Sequence, residues 1–158
     1  TMSKLFNSIT DKQLNKLNNV RKSGLTIGFT NGCFDLLHDG HVHLLSSAKN
    51  LCDYLVVGLN SDQSVKKIKG SERPIEDVRI RTQKLINNDN VDLVIVFDEL
   101  TPARLIRQVL PEVIIKGADY SGKQVVGQEI VENNGGRIEF IELLPGFSTS
   151  KIIKERNL

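Results

Sequence analysis

Cysteine is scarce in this chain: Cys33 and Cys52 are the only two in 158 residues. They stand too far apart for a CxxC motif and are too few for a zinc ribbon. Two cysteines also make no secreted disulfide framework, so a reducing cytoplasm is the expected setting. Long apolar runs are missing as well. The longest, "YLVVGL" and "LVIVF", fall far short of the roughly 20 residues of a membrane helix. No signal peptide is legible, and no membrane partner is expected. Nor is there an excess of one charge: 21 Lys and Arg face 19 Asp and Glu, for a formal net +2. That argues against a basic nucleic-acid surface, while leaving room for a local anion site. Linkers, repeats and low-complexity stretches are absent too. The length suits one domain with one core, residues 1–24 supplying a leading helix to the domain formed by 25–158.

What the chain does have is alternation. "TDKQLNKLNNVRKSG" places Thr10 as a helix N-cap, Gln13 three residues later and Gly24 just past the last turn. Apolar, β-branched runs then follow at residues 25–30, 54–60, 91–97, 113–116 and 137–143. Between them lie helical patterns starting near His41, Glu76, Pro102 and Val125, with a last one near Ser148. Near-continuous apolar strands are those of a sheet covered on both faces. The alternation predicts an α/β fold: a doubly wound, five-stranded parallel sheet. Ligands of such sheets bind beyond the carboxyl ends of the strands, so the segments after strands carry the function.

The first of these segments holds all three histidines, in "TNGCFDLLHDGHVHLL". His38 and His41 are three apart and share a side if the turn is helical; they read as a metal pair or as caps of the turn, or, beside Gly40 at this end of a strand, as part of an anion site. A helix starting near Gly40–His41 would offer its first N–H groups to an anion. His43 falls one step round the helix, as a structural or exposed residue. No GxGxxG follows this strand, so a nicotinamide-type fingerprint is unsupported. "GADYSGKQ" matches GxxxxGK but ends in Gln124 where a phosphate-binding loop needs a hydroxyl for magnesium. After the second strand, "NSDQSVKKIKGSERPI" reads as a long cationic loop carrying Lys66, Lys67, Lys69 and Arg73. Either it is a solvated charge run or a mobile flap that closes on phosphates. Arg81, early in the next helix, reads equally as a surface residue or as one reaching back to the site. "LPGFSTSKII" offers Ser148, Thr149 and Ser150 at a second helix start.

These motifs resemble those of a known superfamily. "CFDLLHDGH" contains the HxGH signature of the cytidylyl- and adenylyltransferase-like nucleotidyltransferases, and "FSTSKII" resembles their second signature, RTxGISTT. The combination "TNGCFDLLHDGH", "NSD", "KGSERP", "TPARLI" and "KGADY" is most similar to the D-glycero-β-D-manno-heptose 1-phosphate adenylyltransferase branch. Enzymes of that branch also occur as the C-terminal domain of a bifunctional protein and make ADP-heptose for lipopolysaccharide or surface glycans. The resemblance implies a Rossmann-like nucleotidyltransferase fold and a cytoplasmic enzyme joining ATP to a sugar 1-phosphate. Mg²⁺ would be bound mainly through the nucleotide phosphates, and a homodimer is the expected assembly. It implies His38, His41 and Lys69 as the catalytic set. Nucleotide binding falls to Asn31, Gly32, Cys33, Phe34, Gly40, Lys116, Gly117, Asp119, Phe147, Ser148 and Thr149. Asp35, Lys67 and Arg81 fall to the acceptor, Asp35 with the alternative of orienting the first loop. There is one departure: the arginine opening the second signature is missing, and Leu143 or Leu144 takes its place. Lys69 and Arg81 are the cations available to compensate. Two other functions fit the residues: a cytidylyltransferase for glycerol 3-phosphate or another small phosphate, and a nucleotide-binding module without turnover. Intact His38, His41 and Lys69 argue against the module, which has no need of groups specific to a transition state.

Overall fold

The computed structural model describes residues 9–145 and 149–156, with the backbone alone at 149–151. Five strands form one parallel sheet in the order β3-β2-β1-β4-β5. They are β1 Ile27–Gly32, β2 Tyr54–Asn60, β3 Leu93–Phe97, β4 Val113–Gly117 and β5 Arg137–Ile141. The helices are α1 Asp11–Lys22, α2 Asp39–Lys49, α3 Asp62–Lys69, α4 Val78–Ile86, α5 Ala103–Val109, α6 Gln128–Asn133 and α7 Thr149–Arg156. The α/β architecture expected from the strand–helix alternation is the one observed.

Side-chain alternation along β2 shows why the strands read as continuous apolar runs. Val56 joins one core with Ile27 and Phe29, packed under α1, α5 and α6 through Leu17, Val20, Leu105, Ile106 and Val131. Leu55, Val57 and Leu59 point the other way, into a core with Leu45 and Ala48 of α2 and Val78 and Leu85 of α4. Both faces are dry, so both parities along the strand must be apolar. Helix α1 is closed by a capping box, in which Thr10 and Gln13 satisfy each other's backbone N–H. Its Leu17 and Val20 are buried in the sheet core.

Of the boundaries that differ from the expectation, three bear on the site. Strand β1 starts later and extends through Asn31 and Gly32, because these residues still pair with Gly58 and Leu59 of β2. Helix α2 starts at Asp39, because His38 is its N-cap. The third difference matters most: the segment read as a cationic loop is largely helix. Ser61 caps the N–H of Ser64, and Ser64 and Val65 are fully buried. Buried Ser64 and Val65 and one cap hold a single-sided helix whose other residues are Asp62, Gln63, three lysines and the exposed Ile68, a pattern polar enough to pass for a loop.

Candidate active site

The site opens where the sheet changes direction. Strands β1 and β4 pair only at Gly28–Val113 and Phe29–Ile114. Beyond that the ladder parts, and the gap is spanned by a side chain: Lys116 Nζ donates to Asn31 Oδ1 at 2.6 Å. A cleft of about 680 Å³ lies over this fork, lined by the ends of β1 and β4, the β1–α2 loop, α3 and the β3–α5 turn. A topological switch point is where an open α/β sheet offers its binding crevice.

His38 and His41 line the cleft, and their rings stack with centroids 3.8 Å apart. Each imidazole caps the helix through Nδ1. That of His38 accepts from the N–H of Gly40 at 3.1 Å and of His41 at 3.4 Å. That of His41 accepts from the N–H of His38 at 3.3 Å. With both Nδ1 atoms accepting, each neutral ring carries its proton on Nε2, leaving that N–H as donor. Burial lowers the pKa of both, that of His41 to about 3 with help from its neighbour's repulsion. The pair is therefore neutral at pH 7 and offers hydrogen bonds rather than charge. This corrects one expectation: the backbone N–H groups of Gly40 and His41 are already taken by the imidazole of His38. His43 faces elsewhere, its Nε2 lying 2.9 Å from the carbonyl of Glu142.

The loop that carries the first histidine is held under strain by a latch. Phe34 and Leu36 both take left-handed backbone, at φ +48° and +50°, which costs non-glycine residues about 1–2 kcal/mol each. Between them the carboxylate of Asp35 turns inward and is 1% exposed. It accepts from the N–H of Ile75 at 2.8 Å, the N–H of Glu76 at 3.0 Å and Nε of Arg73 at 3.0 Å. Burial alone would raise its pKa, but these three donors outweigh it and hold the acid below its ordinary value. Of the two roles left open for Asp35, the geometry fits the loop-orienting one. Arg81 is not the surface residue of its first reading, because it is fully buried; it reaches back to the backbone of the cleft's walls, not into the cleft. Its Nε donates to the carbonyl of Glu76, its Nη1 to those of Cys33 and Asn60, and its Nη2 to Asp62 at 2.7 Å. A guanidinium saturated in this way braces four segments and has no fork left for an acceptor.

Lys69, the last residue of α3, is exposed and lines the cleft. Lys67, on the same helix, is exposed and is not among the residues that line it. Asn31, Gly32, Cys33, Phe34, Lys116, Gly117 and Asp119 all border the cleft. Burial lowers Lys116 to about 8 against the opposing pull of Asp119, and its Nζ sits 5.1 Å over the ring of Tyr120. Burial raises the thiol of Cys33 despite Lys69, Arg81 and Arg73 nearby, so it stays protonated. A Cβ on Gly117 would meet Asp119 Oδ1 and Leu143 Cδ2 at 2.7 Å, so a side chain there would have to displace the tips of both. Of the two leucines offered for the missing arginine, Leu143 lines the cleft. Phe147 and Ser148 lie outside the described residues, and of Thr149 only the helical backbone is described. "GADYSGKQ" forms a 3-10 turn over Ala118–Tyr120, and the next helix starts only at Gln128, so no phosphate-binding loop is built there. Residue reading missed the apolar wall of Leu100, Pro102, Val125 and Val126; "TPARLI" was its only legible trace. It counted Arg73 in the cationic segment but gave it no role of its own.

Taken together, a Rossmann-like sheet with two Nε2–H imidazoles and lysines at its switch point defines a nucleotidyltransferase. The chain belongs to the cytidylyltransferase-like family, whose model matches residues 29–155. It is 52% identical over 145 residues to the bifunctional protein HldE of Nitrobacter hamburgensis, a match covering 92% of this chain and 30% of the relative. The chain thus spans less than a third of the length of the curated relatives it matches. The crystal structure of the lipopolysaccharide core biosynthesis protein from Thermoplasma volcanium superposes with a TM-score of 0.60 at 25% identity, covering 77% of this chain and 98% of that one. Pantoate-beta-alanine ligase from Francisella tularensis shares the fold, with a TM-score of 0.62 at 18% identity over 98% of this chain and 73% of that one. No helix among the described residues is long and apolar enough to cross a membrane.

Proposed function

We propose that this chain transfers the adenylyl group of ATP to D-glycero-β-D-manno-heptose 1-phosphate, giving ADP-heptose and pyrophosphate. The stacked, doubly capped His38–His41 pair at the sheet's switch point carries the phosphoryl-transfer part of this reading. The heptose part is supported by the resemblance of its motifs, by the identity to bifunctional HldE proteins over about 30% of their length, and by the likeness to a lipopolysaccharide core biosynthesis protein.

A sugar-phosphate oxygen attacks the α-phosphorus, and the bond from that phosphorus to the β-bridging oxygen breaks. The second pKa of a phosphate monoester is about 6, so the nucleophile is already an anion and needs no base. What the protein supplies is approximation of two anions and stabilisation of the charge that develops between them. The Nε2–H groups of His38 and His41 donate to the phosphate oxygens, and Lys69 adds charge from the end of α3. Lys116 and Asn31 line the floor on the nucleotide side, and the wall of Leu100, Pro102, Val125 and Val126 suits a base. Mg²⁺ is the proposed cation, arriving on the nucleotide. Among the described residues no group of three His, Cys, Asp or Glu side chains is placed to hold a metal, and Mg²⁺ is commonly bound through substrate phosphates and water. It would neutralise phosphate charge. The setting is proposed as cytoplasmic and the assembly as a homodimer, which sedimentation would test.

The test is pyrophosphate release across four nucleoside triphosphates and a panel of sugar and polyol phosphates. ATP with heptose 1-phosphate is expected to lead, ATP over CTP by at least about tenfold in efficiency, on the order of 1.4 kcal/mol of discrimination. A strong CTP preference, or glycerol 3-phosphate as best acceptor, would move the chain to a cytidylyltransferase role. Chirally labelled ATPαS should give inversion at phosphorus; retention would mean a covalent intermediate.

A further inference from the structure

Arg73 is the cation that the residue-level reading left in the loop. Its side chain is only 13% exposed, yet it lines the cleft together with His38, His41, Lys69 and Lys116. Its Nε is spent on Asp35. Among the described residues neither Nη has a hydrogen-bond partner. This contrasts with Arg81, whose nitrogens are all engaged on carbonyls and a carboxylate. Arg73 and Lys69 also border an adjoining cavity of about 720 Å³ that contains Ser71 and Glu72. The two cations thus stand between two cavities, where the phosphates of two bound molecules would have to meet.

We propose that Arg73 is a substrate-binding residue of this cleft: Asp35 fixes its Nε edge, and its two remaining Nη groups take a pair of phosphate oxygens. The inference rests on the phosphoryl-transfer reading above. The chemistry is that of the fork: a planar guanidinium presents parallel N–H donors to two oxygens of one phosphate, which an ammonium cannot do. A guanidinium tethered on one edge loses little freedom when its other edge engages an anion. Arg73 also supplies a positive charge to a cleft in which Leu143 is one of the two leucines at the place of the missing arginine. The same carboxylate that orients it holds the histidine loop, so one residue sets the spacing between imidazoles and guanidinium.

The experiment has two arms. In steady-state kinetics, Arg73→Gln and Arg73→Lys are each expected to raise the KM of at least one substrate about tenfold or more; loss of the Asp35 pair also lowers the melting temperature, so both are assayed below their own unfolding range. A rise confined to the sugar phosphate assigns the fork to the acceptor; a rise confined to ATP assigns it to the triphosphate. In the second arm, wild-type protein is treated with phenylglyoxal with and without inorganic pyrophosphate, and adducts are mapped by mass spectrometry. Arg73 is expected to react and to be protected, while the exposed Arg107 reacts equally in both. KM values within twofold of wild type for both substrates in a folded Arg73→Gln would overturn the proposal. So would Arg73 labelling that pyrophosphate leaves unchanged, which decides the matter alone if the variants do not fold. If wild-type protein turns over none of the substrates, the failure lies with the reaction assigned above; the footprint still judges the anion site.

Discussion

At the scale of single residues, the site works by fixing protons. An imidazole that caps a helix through Nδ1 has no choice of tautomer, and His38 and His41 cap each other's turn. Replacing either by alanine removes one Nε2–H donor as well as a cap. The expected loss in turnover is on the order of 10²–10³, the usual cost of one charge-stabilising donor, with ATP affinity changed much less. Stopped-flow pyrophosphate release and a separate binding titration would separate the two; wild-type turnover in either variant would remove the histidines from the mechanism. Lys116 makes a pH-dependent prediction. Its free pKa of about 8 must rise when an anion binds beside it, so binding takes up a proton above pH 8. Nucleotide affinity is therefore expected to weaken between pH 8 and 9.5 in wild type and to be flatter in Lys116→Met. Titration calorimetry in two buffers of different ionisation heat measures that proton directly.

At the scale of elements, the β1–α2 loop and the segment before α4 behave as one piece. Asp35 bonds Ile75 N, Glu76 N and Arg73, and Arg81 ties Cys33 to Glu76, Asn60 and Asp62. Asp35→Asn keeps the shape but aims an amide N–H or a weaker acceptor at three donors. A loss of about 1–3 kcal/mol is expected by urea unfolding. Proteolysis should quicken around Gly70–Arg73, and ATP with Mg²⁺ should slow it in wild type. An unchanged nicking pattern in the variant would show that the latch does not hold this loop. Helix α3 narrows the mobile-flap idea. With Ser64 and Val65 buried, the part free to move is confined to the turn after Lys69.

For the whole molecule, acid stability follows from the buried histidine. His41 titrates near 6.5 when unfolded and at about 3 when folded. Between these values the unfolded chain holds the extra proton, so stability is full above about pH 6.5 and is lost as pH falls towards 3. The slope contributed by this one group is at most about 1.4 kcal/mol per pH unit. Wild type should lose more stability between pH 6.5 and 4.5 than His41→Gln, by urea midpoints at each pH. Parallel slopes would place the acid sensitivity elsewhere.

The sequence by itself determined the fold class and the address of the site. Two-sided burial forces continuous apolar strands, which are visible without coordinates. A parallel sheet binds at its strand ends, so His38 and His41 could be placed at the site from position and residue type, while Lys69 and Lys116 were named through the resemblance to known motifs. What it could not assign was the duty of each charge. "SVKKIK" looked like loop because only Ser64, Val65 and a cap anchor it as helix, and that burial is tertiary. Arg81 and Arg73 are both arginines beside the same site. Only the packing makes one a saturated brace and the other a guanidinium with an open edge. The hydrogen-bond partners of these two arginines, up to 48 residues away, are set by how the chain closes on itself, which local pattern does not record.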